Sequence, residues 1–407
     1  VNTAAPGDEP GIFSRSFKFF LGSRLLATAA QQMILVAIGW QIYSLTGDPW
    51  DLGLVGLFQF VPAFLLTIPA GQLVDRVDRR KVMAAAMAVQ FGVAFVLAWG
   101  SLGEWLHRNH ILGLAIAIGI ARALQMPSTQ ALIPSLVPIQ QLARGTAVSS
   151  GVMKFAVIGG PALGGFLYVA GAQVVYGISA LLLLVSVALV ALIQRPAQPP
   201  AAEPVSVRSL LAGFTFVWNH KVVLGAISLD LFAVLLGGVN ALMPIYAKDV
   251  LHTGPWGLGL LRSAPAIGAL AMAFWLTQNP LSSRVGRKMF VAVAIYGATM
   301  LVFGLSTAFW LSMAALIIGG GADMVSVVIR LTLVQTETPD EMRGRVSAVN
   351  STFIGASNEL GDFRAGAMAG GIGAIGSVLV GGVGTLLVAL LWMRWFPALA
   401  KRDRLVS

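Results

Sequence analysis

Apolar runs of about twenty residues, separated by short stretches of Gly, Pro and charge, recur along the whole of this chain. Nothing else in the sequence limits its folding so severely. Wound as a helix, such a run matches the hydrocarbon thickness of a bilayer. Lipid cannot hydrogen-bond exposed backbone groups, and the runs are too long for barrel strands, so helices are required. Spans are predicted at 18–45, 52–73, 82–102, 111–133, 144–170, 173–193, 221–248, 257–279, 288–307, 309–335, 343–369 and 372–396. Composition carries the same message. Only 11% of the 407 residues are charged, against about a quarter in soluble domains. Too few charges remain to cover a water-facing surface, so most of the outside must meet lipid. The fold class expected is an all-α membrane protein with twelve transmembrane helices.

The charges that remain are distributed unevenly. Of the 27 Lys and Arg, nineteen fall on one side of the predicted topology, only Arg108 and Lys248 on the other, and six within spans. By the positive-inside rule the richer side is cytoplasmic, which puts both termini there and the protein in a bacterial inner membrane. The formal charge of +10 is therefore a topology signal and implies no nucleic-acid partner. Val1 to Ser16 carries Asp8, Glu9, Pro6 and Pro10. It reads as a short cytoplasmic tail before an uncleaved first span. With no cysteine, thiolate metal sites and disulfides are excluded. The four histidines, His107, His110, His220 and His252, lie in short polar connections, so no metal site is expected.

Residues 1–195 read as one six-helix bundle and residues 221–407 as another. Between them, 196–220 form a cytoplasmic linker. It begins with a Pro-rich stretch ending at Pro204. It continues as an amphipathic interfacial helix with Val207, Leu210, Leu211, Phe214, Val217 and Trp218 at helical spacing. The two bundles also repeat each other. Leu73–Arg80 aligns with Leu281–Lys288 at an offset of 208, which also pairs Arg122 with Arg330. Arg144–Ser149 aligns with Arg345–Asn350 at an offset of 201, which pairs Gly160 with Gly361. Parallel six-span repeats are the architecture of a transporter whose site lies at their interface.

Three motifs carry a resemblance. Gly71, Leu73, Asp75, Arg76, Arg79, Arg80 and Lys81, between spans two and three, are similar to the G-x-L-x-D-R-x-G-R-(R/K) loop of the major facilitator superfamily. Asp78 stands where that loop has glycine. Gly71 would let helices approach closely, and the resemblance implies that Asp75 pairs with arginines as a latch on the outward-facing state. In span four, Arg122 and Gln125 resemble a motif whose arginine is implicated in proton transfer in proton-coupled members, with Met126 replacing the usual glycine. In span five, Gly160, Pro161, Gly164 and Gly165 resemble the G-P-x-x-G-G motif of drug/proton antiporters, a smooth helix-packing face. Segment 207–404 is similar to the enterobactin-exporter-like branch, through 229–238, 321–330 and 342–350. Span eleven of that branch commonly reads N-E-L-G-E-F-E-S-G, and here Arg364 replaces its last acid.

Charges inside spans complete the candidate site. A charged group at mid-membrane costs about 2.5–3.5 kcal/mol on insertion scales, so each is expected to have a functional or pairing role. Glu359 and Asp362 in span eleven are the expected proton carriers, with Asp230 as the alternative and Arg122 joining them in proton coupling. Neighbouring Arg364, and Arg122 or Arg330 across the cavity, are the arginines that could pair with them. Asp323 and Arg330, seven apart on one helical face, could instead be a structural ion pair. Arg24, Lys154, Asp323, Arg330, Arg364, Gln31 and Asn240 are candidates for the substrate cavity, lined by spans one, four, seven and ten with five and eleven contributing. Gly371, Gly373 and Gly376 match a dinucleotide-binding pattern, but no strand precedes them and the match is discarded.

The function expected is secondary active transport rather than catalysis. The leading form is proton-coupled export of an amphiphilic or anionic, siderophore-like or drug-like molecule, by alternating access, as a monomer. It needs no cofactor beyond the proton gradient. An importer or lipid flippase on the same fold, or a non-transporting sensor or scaffold, are the other readings.

Overall fold

The computed structural model describes residues 14–194 and 207–404. The proposed tail at 1–13 and the Pro-rich part of the linker lie outside the described residues. Every regular element among those described is helical: α1 (Arg15–Thr46), α2 (Pro49–Arg76), α3 (Arg79–Leu102), α4 (Arg108–Leu136), α5 (Leu142–Tyr168), α6 (Ala172–Ala191), α7 (Val207–Asn219), α8 (Lys221–Gly237), α9 (Met243–Ile245), α10 (Gly254–Gln278), α11 (Val285–Leu305), α12 (Phe309–Thr336), α13 (Asp340–Trp395) and α14 (Pro397–Ala400). Among the described residues, eleven stretches are long and apolar enough to cross a membrane. The last of these, α13, runs for 56 residues and breaks at Gly373, whose φ of +77° no L side chain readily adopts. Spans eleven and twelve are thus joined by a kink, and the discarded glycine motif is the residue pattern that makes it.

Local chemistry sets the helix ends. Gly47 closes α1 in the left-handed conformation, and its N–H donates to the Tyr43 carbonyl. One residue later Asp48 caps α2, accepting from Trp50 N at 2.9 Å, with Pro49 in the first turn. Asp78, the departure from the usual glycine, caps α3 by accepting from Arg80 N at 3.0 Å. Burial pushes the Asp78 carboxyl up, but the Arg80 hydrogen bonds and the charges of Arg80 and Lys81 outweigh it and hold it below the ordinary value.

Span seven departs from its predicted continuous run. Helix α8 ends at Gly237, the chain turns through Gly238–Leu242, and a widened turn, Tyr246–Val250, follows α9. Two successive glycines and Pro244 remove the packing and the donor that continuation would need. The broken end leaves backbone groups that lipid cannot satisfy.

Within the first six spans α1 packs on α5 and α6, α2 on α4, and α3 on α4 and α6. Within the last six, α8 packs on α13, α10 on α12, and α11 on both α12 and α13. Across these groups, α2 meets α13 and α5 meets α10. These cross-contacts gather at one end. A Cβ on Gly53 would lie 3.0 Å from the Phe363 carbonyl, and one on Gly165 2.5 Å from that of Pro255. Ser263 donates to the Ile158 carbonyl at 2.7 Å, and Tyr43 hydrogen-bonds Asp249 at the same end. The opposite end, which carries both ends of the described chain, is open: Leu65, Met126 and Phe155 are each about two-thirds exposed there. Helix α7 rests on α13, with Val217 buried and Leu211, Phe214 and Trp218 exposed.

Candidate functional site: a polar cavity between spans

A cavity of about 240 Å³ lies just inside the closed end, walled by α1, α2, α4, the turn after α8, α10 and α13. Spans two and eight therefore contribute where spans five and ten were expected. The reason is geometric: α2 crosses α13, and α10 crosses α5, at this level.

Arg122 and Glu359 meet in this cavity, with Nη1 3.1 Å from Oε1. The pair joins α4 to α13 across 237 residues of chain. Asp362, one helical turn beyond Glu359, also lines the cavity, and its Oδ1 accepts from Ala241 N at 3.3 Å. Asn240 lines it too, and its backbone carbonyl accepts from Arg262 Nη2 at 3.5 Å. Sequence reasoning passed over Arg262, although an arginine in an apolar span was signal enough. The cavity thus holds two guanidinium and two carboxylate groups.

Arg364 is not a cavity residue, contrary to expectation. Its Nε donates to the Leu235 carbonyl at 3.0 Å and its Nη2 to the Leu236 carbonyl at 2.6 Å. A cation at a helix C-terminus meets the negative end of the dipole as well as unpaired carbonyls. Asp362 does the complementary work on the far side of the same break. Two charges on α13 thereby satisfy three of the backbone groups that the Gly237–Gly238 interruption frees, and the Tyr296 hydroxyl donates to the Gly237 carbonyl at 3.2 Å.

Asp230 and Arg330 also leave the cavity. They form an ion pair at 3.2 Å, 5% and 2% exposed, and Arg330 Nη1 donates to Asn350 Oδ1 at 2.9 Å. Arg330 thus pairs with a residue on α8 rather than with Asp323 on its own helix. Asp323 is half-buried and makes no hydrogen bond or ion pair among the described residues. Arg24 donates to Ser149 and, at 3.3 Å, to Met153 Sδ, tying α1 to α5, while Lys154 is exposed.

A second, smaller recess opens beside Arg122, with Gln31, Gln32, Gln59 and Gln90 in its walls. Gln31 Nε2 donates to Gln90 Oε1 at 2.6 Å and to Gln125 Oε1, and Gln90 Nε2 donates to Gln125 Oε1 at 2.7 Å. Of these glutamines, sequence reasoning singled out only Gln31 and Gln125. Gln32, Gln59 and Gln90 carried the same signal, an uncharged polar side chain within an apolar run.

The span-five motif packs as its residues suggest. A Cβ on Gly160 would lie 2.7 Å from Gln32 Cβ, one on Gly164 2.9 Å from Met33 Cα, and one on Gly165 2.8 Å from Gly259 Cα. The Pro161 carbonyl would lie 2.5 Å from a Cβ on Gly259. The loop motif differs from expectation. A side chain at Gly71 would meet nothing within 4 Å, so no close approach occurs there. Asp75 makes no ion pair among the described residues, and Arg76 is exposed. Arg79 donates to the Ala131 carbonyl at 3.1 Å, and Arg80 binds the Ile193 carbonyl and Asp78.

The sequence profile of the Major Facilitator Superfamily matches residues 20–361. The enterobactin exporter EntS of Citrobacter koseri is 28% identical over 386 residues, spanning 93% of this chain and 91% of that protein. EntS of Escherichia coli O1:K1 is 27% identical over 386 residues, spanning 92% and 90%. Among solved structures, an inward-facing, occupied bacterial homologue of the human lysosomal transporter Spinster superposes with a TM-score of 0.75 at 14% identity, over 95% of this chain and 97% of that one. A D-xylose–proton symporter superposes with a TM-score of 0.73 at 14% identity, over 96% and 99%.

Proposed function

Because the chain belongs to the major facilitator superfamily and is a multi-pass membrane transporter, we propose that it exports an amphiphilic or anionic, siderophore-like small molecule in exchange for protons. The observation that carries this reading is the Arg122–Glu359 pair inside the cavity. A carboxylate in a membrane cavity is costly unless it is paired or protonated. Here ionised Glu359 is held by Arg122. Opening the cavity to the other side would separate α4 from α13 and break this pair, so the exchange step falls at Glu359. Asp362 is the second carrier, tied in this state to the turn after α8. Asp230, engaged with Arg330 in the interior, is better suited to holding α8 on α12.

The Lys and Arg asymmetry supports a bacterial inner-membrane location with both termini cytoplasmic, and therefore an inward-open cavity. Export direction rests on the span-five motif and on the exporters to which the chain is similar. The working cycle is a rocking of residues 1–195 against 221–407, in a monomer, with the bilayer and the substrate as the only partners. Asp75 would find its arginine partners when the cytoplasmic side closes.

Flux in proteoliposomes with an imposed pH gradient tests the coupling. Glu359→Gln should lower gradient-driven flux about tenfold or more while gradient-free exchange persists, because the glutamine keeps the shape but carries no proton. Unchanged dependence on the gradient in Glu359→Gln and Asp362→Asn would refute proton coupling through α13.

A further inference from the structure

The glutamine recess has chemistry of its own. Gln31 and Gln32 come from α1, Gln59 from α2 and Gln90 from α3, and Gln125 of α4 is hydrogen-bonded to them, so four helices bring carboxamides to one place. Within the triad both N–H groups of Gln31 are used, on Gln90 and Gln125. Gln90 spends one N–H on Gln125, whose carbonyl accepts twice. Each carboxamide has two donors and one carbonyl with two acceptor positions. One N–H and one acceptor position of Gln90, both N–H groups of Gln125 and the carbonyl of Gln31 therefore remain open. Gln59 is 2% exposed and makes no side-chain hydrogen bond among the described residues, yet its amide atoms are not sealed off. Buried polar groups left unpaired are unfavourable, so a recess of open amides calls for a ligand or water to complete it.

The charge around these groups narrows the ligand. The recess walls contain no acid, and their one cation, Arg122, is already paired with Glu359. An ammonium group would meet the carbonyls of Gln31, Gln32 and Gln59, but it would leave the N–H donors of Gln90 and Gln125 unanswered and find no acid to offset its desolvation. A carboxylate would meet N–H donors but no free cation to offset its desolvation. An uncharged group with donors and acceptors side by side matches what the glutamines leave open. We propose that the Gln31–Gln59–Gln90–Gln125 recess is the recognition subsite for a neutral polar head, a carboxamide or paired hydroxyls, of the transported molecule. This assignment rests on the reading of the cavity as the substrate path. It separates the group that recognises substrate from the Arg122–Glu359 pair that carries charge.

Three probes of one shape decide it: benzamide, benzoate and benzylammonium, titrated into the full chain in lipid nanodiscs by ligand-observed NMR. Benzamide should bind saturably and most tightly of the three. Gln125→Leu and Gln31→Leu should each weaken it by about tenfold, as expected for losing a pair of neutral hydrogen bonds. Equal or tighter binding of benzoate or benzylammonium overturns the proposal. So does an absence of saturable binding by any probe, or parental benzamide binding in both variants. The ranking on the unmodified chain decides alone if a leucine variant does not fold. Since no gradient is present, failure here overturns the ligand class, whereas undiminished coupling in Glu359→Gln overturns the coupling.

Discussion

Arg364 carries a structural task that its position alone would not suggest. Its guanidinium binds the Leu235 and Leu236 carbonyls, where α8 has run out of its own donors. Hydrogen bonds from a charged group contribute about 1.5–3 kcal/mol each. Arg364→Ala should therefore destabilise the protein by a similar amount, read as an earlier thermal unfolding transition in detergent. Arg364→Lys should recover only part of this, since one ammonium cannot copy a two-pronged guanidinium. Asp78 invites the milder test. Its replacement by the glycine of the resembled motif should cost a few tenths of a kcal/mol and Asp78→Ala about 1 kcal/mol, because only the alanine lacks both the capping oxygen and the backbone freedom.

At the scale of helices, the contact between α5 and α10 holds the closed end together. Gly165 and Gly259 bring two backbones within van der Waals distance, and a methyl group at either has no room. Gly165→Ala should cost about 1–3 kcal/mol in this closed arrangement and shift the population toward the opposite access state. Since the chain contains no cysteine, one introduced cysteine is a unique reporter. Leu35→Cys, in the cavity wall, should react faster with a membrane-impermeant maleimide from the extracytoplasmic side once Gly165→Ala is added. An unchanged rate would mean that this contact does not set the access equilibrium.

For the whole molecule, the open end exposes the loop between α2 and α3, and Asp75 stands there without an ion-pair partner among the described residues. If closure of that end is where the loop acts, Asp75→Asn should slow turnover several-fold and leave substrate affinity nearly unchanged. Flux and equilibrium binding measured on the same preparation separate these effects. A loss of affinity equal to the loss of flux would instead make Asp75 part of the binding surface.

The helical architecture was legible in the sequence because the requirement behind it is local. Twenty apolar residues in lipid must be a helix whatever surrounds them, and each predicted span overlaps a helix in the structure. The cost of a buried charge is equally local, which is why Arg122, Glu359 and Asp362 stood out as residues. Partnership is different, because it depends on how helices far apart in the chain cross. Arg330 meets Asp230, a hundred residues away, rather than Asp323 on its own face. Arg364 meets carbonyls because α8 breaks, and the break matters only where α13 passes it. Five glutamines scattered over ninety-five positions converge on one recess through the packing of α1, α2, α3 and α4. Sequence determined which side chains are expensive to bury in this membrane, and only the tertiary structure decided which of them offset one another and which remain open to a ligand.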